Sequence, residues 1–230
     1  MRAIVFLAVA LSIAAIVGCD RKEPNGTSRA DSAVGTTGVS AGNKVSRSDR
    51  AFVHDMAIAN MLEIELARLV LDRSADTEIK KFAQLMIDDH TKSLNSLKAF
   101  SADHNIPVPA ALDGRQARLR DKLDKWHGNT FEREYMDEVV DAHEDVLDEL
   151  ESRVDEATLA EYKAQIEDRL AGKKAVENAQ VVAIVPEKSD NPVTMKLNEW
   201  AAATYPIVRA HLDAARVLKI AVDKRPRTTN

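Results

Sequence analysis

The chain has 230 residues, a net charge of −5, 8 glycines and 4% aromatic residues. That length suits one ordinary domain plus a tail, and the dominance of Ala, Leu, Glu, Asp, Lys and Arg favours helices over strands. No basic block is present, which argues against a nucleic-acid partner.

The opening segment, "MRAIVFLAVALSIAAIVGC", has one Arg and then an uncharged apolar run from Ala3 to Val17. It is too short for a comfortable membrane span and has the layout of a secretory signal, expected over residues 1–18. It ends in "IVGC", Ile16–Cys19, which resembles the lipobox of bacterial lipoproteins. The resemblance implies that Cys19 is lipidated, becomes the first residue of the mature protein and anchors it to a membrane on the periplasmic side of a bacterial envelope. A plain signal with an incidental cysteine, or an uncleaved anchor, is the alternative. Asp20 resembles the enterobacterial signal for staying in the inner membrane. Cys19 is the only cysteine, so an intramolecular disulfide is impossible. Residues 19–47 are rich in Gly, Ser, Thr and charge and lack apolar periodicity, so they read as a flexible tether with a reach of roughly 30 Å.

Four long helical patterns follow. The first, about Ser48–Arg73, turns Phe52, Val53, Met56, Ala57, Asn60, Glu63, Ile64, Ala67, Val70 and Leu71 inward, with Ser48 and Asp49 suited to its start. The second, about Asp76–His104, repeats Ile79, Phe82, Ala83, Met86, Leu94, Leu97 and Phe100 at three- and four-residue steps. Pro107 and Pro109 break the chain, and a short helix over about Gly114–Trp126 is expected next. The third long pattern starts near Asn129, with Glu132 placed as in a capping box, and carries Phe131, Tyr135, Met136, Val139, Val140, Val146, Leu147, Leu150 and Val154. The fourth, about Pro192–Asp223, carries Leu197, Trp200, Ala201, Thr204, Ile207, Val208, Leu212, Ala215, Leu218 and Val222, with a kink expected at Pro206. Between the third and fourth lies an insert, about 153–188. Its first half has helical propensity, and "AQVVAIV" reads as a strand or the apolar end of a helix. An isolated strand would lack partners, so a helical hairpin is expected. Helices of about 25 residues, roughly 37 Å long, make a four-helix bundle.

The polar residues on the apolar faces matter most. In "LMIDDHTKSL", His90 lies four residues after Met86 and four before Leu94, so all three share a face. His143 stands likewise between Val139 and Leu147, and His211 between Val208 and Ala215. The first helix offers Glu63 on its inward face, with Asn60 one turn before it. Each of Glu63, His90, His143 and His211 lies near the middle of its helix, so the four are expected to converge in the core. Buried polar groups left unpaired cost about 1–3 kcal/mol each, which leaves two solutions. One is a transition metal: imidazole and carboxylate suit Zn, Cu, Fe or Ni, with Asp89 and Asn60 as outer partners of the ligands. The other is a metal-free hydrogen-bonded network that fixes helix register. Met56, Met86 and Met136 share faces with Glu63, His90 and His143. Thioethers would suit copper, but methionines filling core gaps is the simpler reading. A ferritin-type di-iron site needs Glu-x-x-His, and Ile87, Val140 and Val208 stand where those glutamates would be. His54, His104 and His127 look incidental, and Asp124 with His127 reads as surface. There is no Ser-His-Asp arrangement, Gly-rich phosphate loop or Cys-x-x-Cys motif, and no catalytic residue is assigned.

Four blocks, "FVHDMAIANMLEIELARLV", "KKFAQLMIDDHTKSLNSLKAF", "FEREYMDEVVDAHEDVL" and "WAAATYPIVRAHLDAARVL", together resemble the exported bacterial family catalogued as domain of unknown function 4142. Its members look like ferritin-like helical bundles and are often lipoproteins or secreted. The resemblance covers most of Asp49–Lys219. It places the family's first-helix Glu on Glu63, its Asp-His pair on Asp89 and His90, and its later histidines on His143 and on His211, which follows Pro206. The family's connection before the last helix is short, whereas this chain carries the insert there. The family has no established activity, so the resemblance implies a fold and special positions rather than a reaction.

The expected architecture is an all-α, ferritin-like four-helix bundle over residues 48–225, with an additional helical insert and a disordered tail at 226–230. The first functional reading is a lipid-anchored envelope protein. It would bind a transition metal (Zn, Cu or Fe) through Glu63, His90, His143 and His211, for storage, sensing or envelope protection. The alternative is a non-enzymatic structural or interaction module whose Glu/His network only fixes the core. A redox enzyme comes third. The only partner indicated is a membrane, through Cys19.

Overall fold

The computed structural model describes residues 44–172 and 181–226. The signal segment, Cys19, Asp20, the tether up to residue 43, residues 173–180 of the insert and residues 227–230 lie outside the described residues. Within them are six helices: α1 Arg47–Arg73, α2 Thr77–His104, α3 Gly114–Leu123, α4 Gly128–Glu151, α5 Glu156–Leu170 and α6 Pro192–Asp223.

Short polar side chains set where most helices begin. The Ser46 hydroxyl accepts the Asp49 N–H at 2.9 Å, and the Asp49 carboxylate accepts the Ser46 N–H at 3.3 Å. This capping box starts α1 before Ser48, the expected position. Asp76 caps α2 by accepting from the N–H groups of Glu78 and Ile79. Asn191 caps α6 ahead of Pro192, whose missing N–H costs nothing at that position. The start of α4 differs from expectation. Its N-cap is His127, which makes no side-chain capping bond, and Glu132 is engaged elsewhere.

The ends of the helices reveal how the bundle is threaded. At one end, Arg153, just past α4, donates to Asp49 Oδ1 at 2.9 Å, and Thr194 at the start of α6 donates to Asp49 Oδ2 at 2.8 Å. At the other end, Ser74 donates to Glu132 Oε1 at 2.5 Å, and Arg225 donates to Glu132 Oε2 at 2.6 Å and also bonds Asp76. So α1 and α6 run one way, and α2 and α4 run the other. Two antiparallel pairs, α1–α2 and α4–α6, are joined by one long crossover that contains α3, the connectivity of ferritin-like bundles. The crossover is tied along α1 by Arg120 to Glu65 and by Asp124 to Arg73.

The inward faces read from the sequence form this core, with Phe52, Phe82, Phe131 and Leu197 essentially inaccessible. Ile207 is a correction: it is 40% exposed. It precedes Val208, and the 100° step between neighbours carries it off the buried arc. The insert is a second correction. Its first half is helical (α5), but residues 181–191 form no second helix. Val154 pairs with Pro186 in a single antiparallel bridge. Asp155 donates its N–H to Val185 at 2.8 Å and Glu187 donates to Arg153 at 3.0 Å. Val182 and Val185 donate to the side chains of Gln165 and Thr158. The β-branched run and Pro186 disfavour helix, and these local partners satisfy the backbone without a sheet. No helix among the described residues is long and apolar enough to cross a membrane.

Arg153 is buried over the Phe52 ring, 4.1 Å from its centroid, and also donates to Asn198 Oδ1 at 3.3 Å. Burial pushes the Asp49 carboxyl up, but the bonds from Ser46, Arg153 and Thr194 outweigh it and hold its pKa below the usual range. Arg153→Met leaves Asp49 buried without its counter-charge. It is expected to lower unfolding stability by about 3–5 kcal/mol, read from urea melts at pH 7.

Candidate metal centre

Midway between the two polar ends, α2, α4 and α6 each turn one imidazole into the core. His90, His143 and His211 are 8%, 2% and 4% exposed. Their ring centroids form a nearly equilateral triangle, 5.5 Å from His90 to His143, 5.5 Å from His90 to His211 and 5.6 Å from His143 to His211. One nitrogen from each ring lies within 4.8 Å of those of the other two. The convergence expected from their mid-helix positions is thus present for the three histidines.

One nitrogen of every ring is tied to an outer acceptor. His143 Nδ1 lies 2.8 Å from the Val139 carbonyl one turn back. A carbonyl only accepts, so Nδ1 carries the proton. His90 Nδ1 lies 3.1 Å from Asn60 Oδ1. The Asn60 amide is fixed because its Nδ2 donates to the Met56 carbonyl at 2.6 Å. His211 Nε2 lies 2.9 Å from Asp89 Oδ2, reached from α2 across to α6. The remaining nitrogens, His90 Nε2, His143 Nε2 and His211 Nδ1, are buried and have no hydrogen-bond partner.

Electrostatics keeps two of these rings neutral. Burial, then the neighbouring His143 and His211, holds His90 well below the usual imidazole range. Burial and then His211 push His143 down to about 3, against the opposing bond to Val139. A neutral imidazole is the form that ligates a metal.

Glu63, grouped with the histidines from the sequence, lies outside the triangle. The set of ligand atoms that closes within 4.8 Å comprises the three histidines only. Glu63 Oε1 lies 3.6 Å from His143 Nδ1, the nitrogen already committed to Val139. This contact is not an ion pair. Burial, then the charge of Glu138, pushes the Glu63 carboxyl up to about 8, so around neutrality both partners are uncharged. Asp89 and Asn60, the outer partners expected from the sequence, bond His211 and His90 respectively. The Val139 carbonyl was not foreseen, because a backbone acceptor leaves no mark in side-chain patterns. His54 and His127 are exposed, and His104 lies half-buried against Phe100 at the end of α2.

The geometry defines a helical bundle of ferritin-like connectivity with a buried three-histidine centre that could hold a metal ion. The family described as Domain of unknown function (DUF4142) matches residues 34–180, more than half of the chain. The protein therefore belongs to that family. The match spans α1 to α5 and ends before α6, so His211 and the fourth sequence block lie beyond it. No curated protein and no solved structure matches the chain.

The two shifted groups give the metal-free bundle a defined pH response. Glu63 binds its proton more tightly folded (about 8) than unfolded (4.5), so its contribution is complete below pH 4.5 and lost as pH rises through 8. His143 binds its proton less tightly folded (about 3) than unfolded (6.5), so its contribution is complete above pH 6.5 and lost as pH falls through 3. Glu63→Gln is expected to abolish the alkaline loss and leave the acid loss in place, read from denaturation midpoints across pH 4–9 with chelator present.

Proposed function

We propose that this protein is a lipid-anchored envelope protein that binds one first-row transition ion at the His90/His143/His211 centre. One observation carries the metal reading. Three buried histidines each bring one nitrogen within 4.8 Å of the others, and each ring keeps one buried nitrogen without a hydrogen-bond partner while its second is held by an outer acceptor. Outer acceptors of this kind fix ring orientation and raise ligand basicity in histidine metal sites. Three imidazoles without a thiolate suit zinc, copper or iron, and three protein ligands leave a fourth position for water or a small ligand. Bonds of about 2.0–2.1 Å require the nitrogens to close to about 3.3 Å, a small contraction from the 4.8 Å limit. The competing reading, a polar core that only fixes register, must supply these nitrogens with donors, for which the protonated Glu63 carboxyl, the partnerless Tyr135 hydroxyl and a buried water are the candidates. Glu63 is assigned to the surroundings of His143 rather than to the ligand set. The anchor is proposed from the lipobox-like "IVGC" ending at Cys19. The tether then places the bundle close to a membrane surface.

Loading the chelator-treated full chain with Zn, Cu(II) or Fe(II) is expected to leave one ion per chain after gel filtration, measured by elemental analysis. His90→Ala, His143→Ala and His211→Ala are each expected to abolish retention, and Glu63→Gln to preserve it. No retained ion under any loading condition rejects the metal reading. For the anchor, Cys19→Ser is expected to abolish palmitate labelling and release the protein from the membrane fraction of a bacterial host.

A further inference from the structure

The three outer acceptors are not equivalent. Val139 lies on the same helix as the ring it holds, and Asn60 is a buried neutral amide anchored to its own helix. Asp89 is the only carboxylate among them, and it reaches from a different helix. Its side chain is 36% exposed, against 5% for His211. It is also the sequence neighbour of His90, so adjacent residues of α2 supply one ring of the centre and hold another.

The point of attachment matters as much as the bond. Asp89 accepts from the Nε2–H of His211, whereas Val139 and Asn60 accept from Nδ1–H groups. In an imidazole the two nitrogens are distinct, and the one that carries the proton cannot ligate. His211 is thereby left to present Nδ1, the nitrogen beside its own backbone, while His90 and His143 present Nε2, as the partnerless atoms record. Ligation through Nδ1 brings the ion closer to the backbone of α6 than ligation through Nε2 would.

We propose that Asp89 is a positioning residue that fixes His211 for ligation through Nδ1, giving a centre of one Nδ1 and two Nε2 nitrogens. The inference rests on the metal reading for its ligation half, while the His211 proton position stands without it.

The test uses the full chain labelled with ¹⁵N-histidine, with zinc as the probe. Long-range ¹H–¹⁵N spectra of the zinc form are expected to show His211 bound through Nδ1 with a slowly exchanging Nε2–H, and His90 and His143 bound through Nε2. Asp89→Ala is expected to weaken zinc binding about 10–100-fold and to expose the His211 Nε2–H to rapid exchange, with helicity retained. Asp89→Asn, whose amide oxygen can still accept, is expected to recover part of both. Zinc bound to His211 through Nε2, or equal zinc affinity in wild type and Asp89→Ala, overturns the proposal while leaving the metal reading intact. If wild type takes up no zinc, the metal-free spectra still decide. A protected His211 Nε2–H that Asp89→Ala exposes upholds the positioning role, and a wild-type His211 protonated on Nδ1 overturns it.

Discussion

Desolvation at the middle of the bundle sets the terms for the rest of the structure. Three imidazoles and a carboxyl, with the Asn60 amide beside them, sit in a core otherwise dominated by apolar side chains. A charge in such surroundings is costly, and groups there neutralise instead. His90 and His143 are driven toward the unprotonated form and Glu63 toward the protonated one. The result is a pocket in which Glu63, His90 and His143 are all held toward their uncharged forms. Its preservation depends on keeping each ring turned toward the others.

That orientation is a question of helix register, and the two bundle ends control it. Asp49 gathers Ser46, Arg153 and Thr194 at one end, and Glu132 gathers Ser74 and Arg225 at the other. A slip of one residue along any helix would translate its ring by about 1.5 Å and turn it by about 100°, enough to send an imidazole into solvent. The Asp49–Arg153 pair is buried and the Glu132–Arg225 pair partly so. Each sets the axial position of helices whose apolar faces alone would tolerate sliding.

Much of this was legible in the sequence because helices advertise their inward faces at three- and four-residue steps. His90, His143 and His211 stand out by occupying such steps between apolar residues, and their similar height follows from helices of similar length. Glu63 shares the inward face of α1, but facing inward does not say which side of His143 the carboxylate reaches, and it proved to lie beside the ring's outer nitrogen. The Asp49–Arg153 pair was invisible because it joins residues 104 positions apart, a separation no local pattern encodes. The insert beyond α5 was misread because a single bridge, held by backbone groups near Val154 and by Gln165 and Thr158, replaces the strand partners that a sheet would need.

The threading divides the centre unequally. His90 belongs to the α1–α2 hairpin, and His143 and His211 belong to the α4–α6 pair. An ion held by all three would therefore be a further cross-link between halves of the molecule already joined by the shared apolar core, the Asp89–His211 bond, the α3 crossover and the polar ends. Occupancy would be communicated mechanically: parting the two hairpins would require breaking a coordination bond. The free energy of binding would accordingly add to the resistance to opening by mass action. Such a bundle would register ion availability as a change in how readily its two halves breathe apart, on a timescale accessible to amide hydrogen exchange along α2.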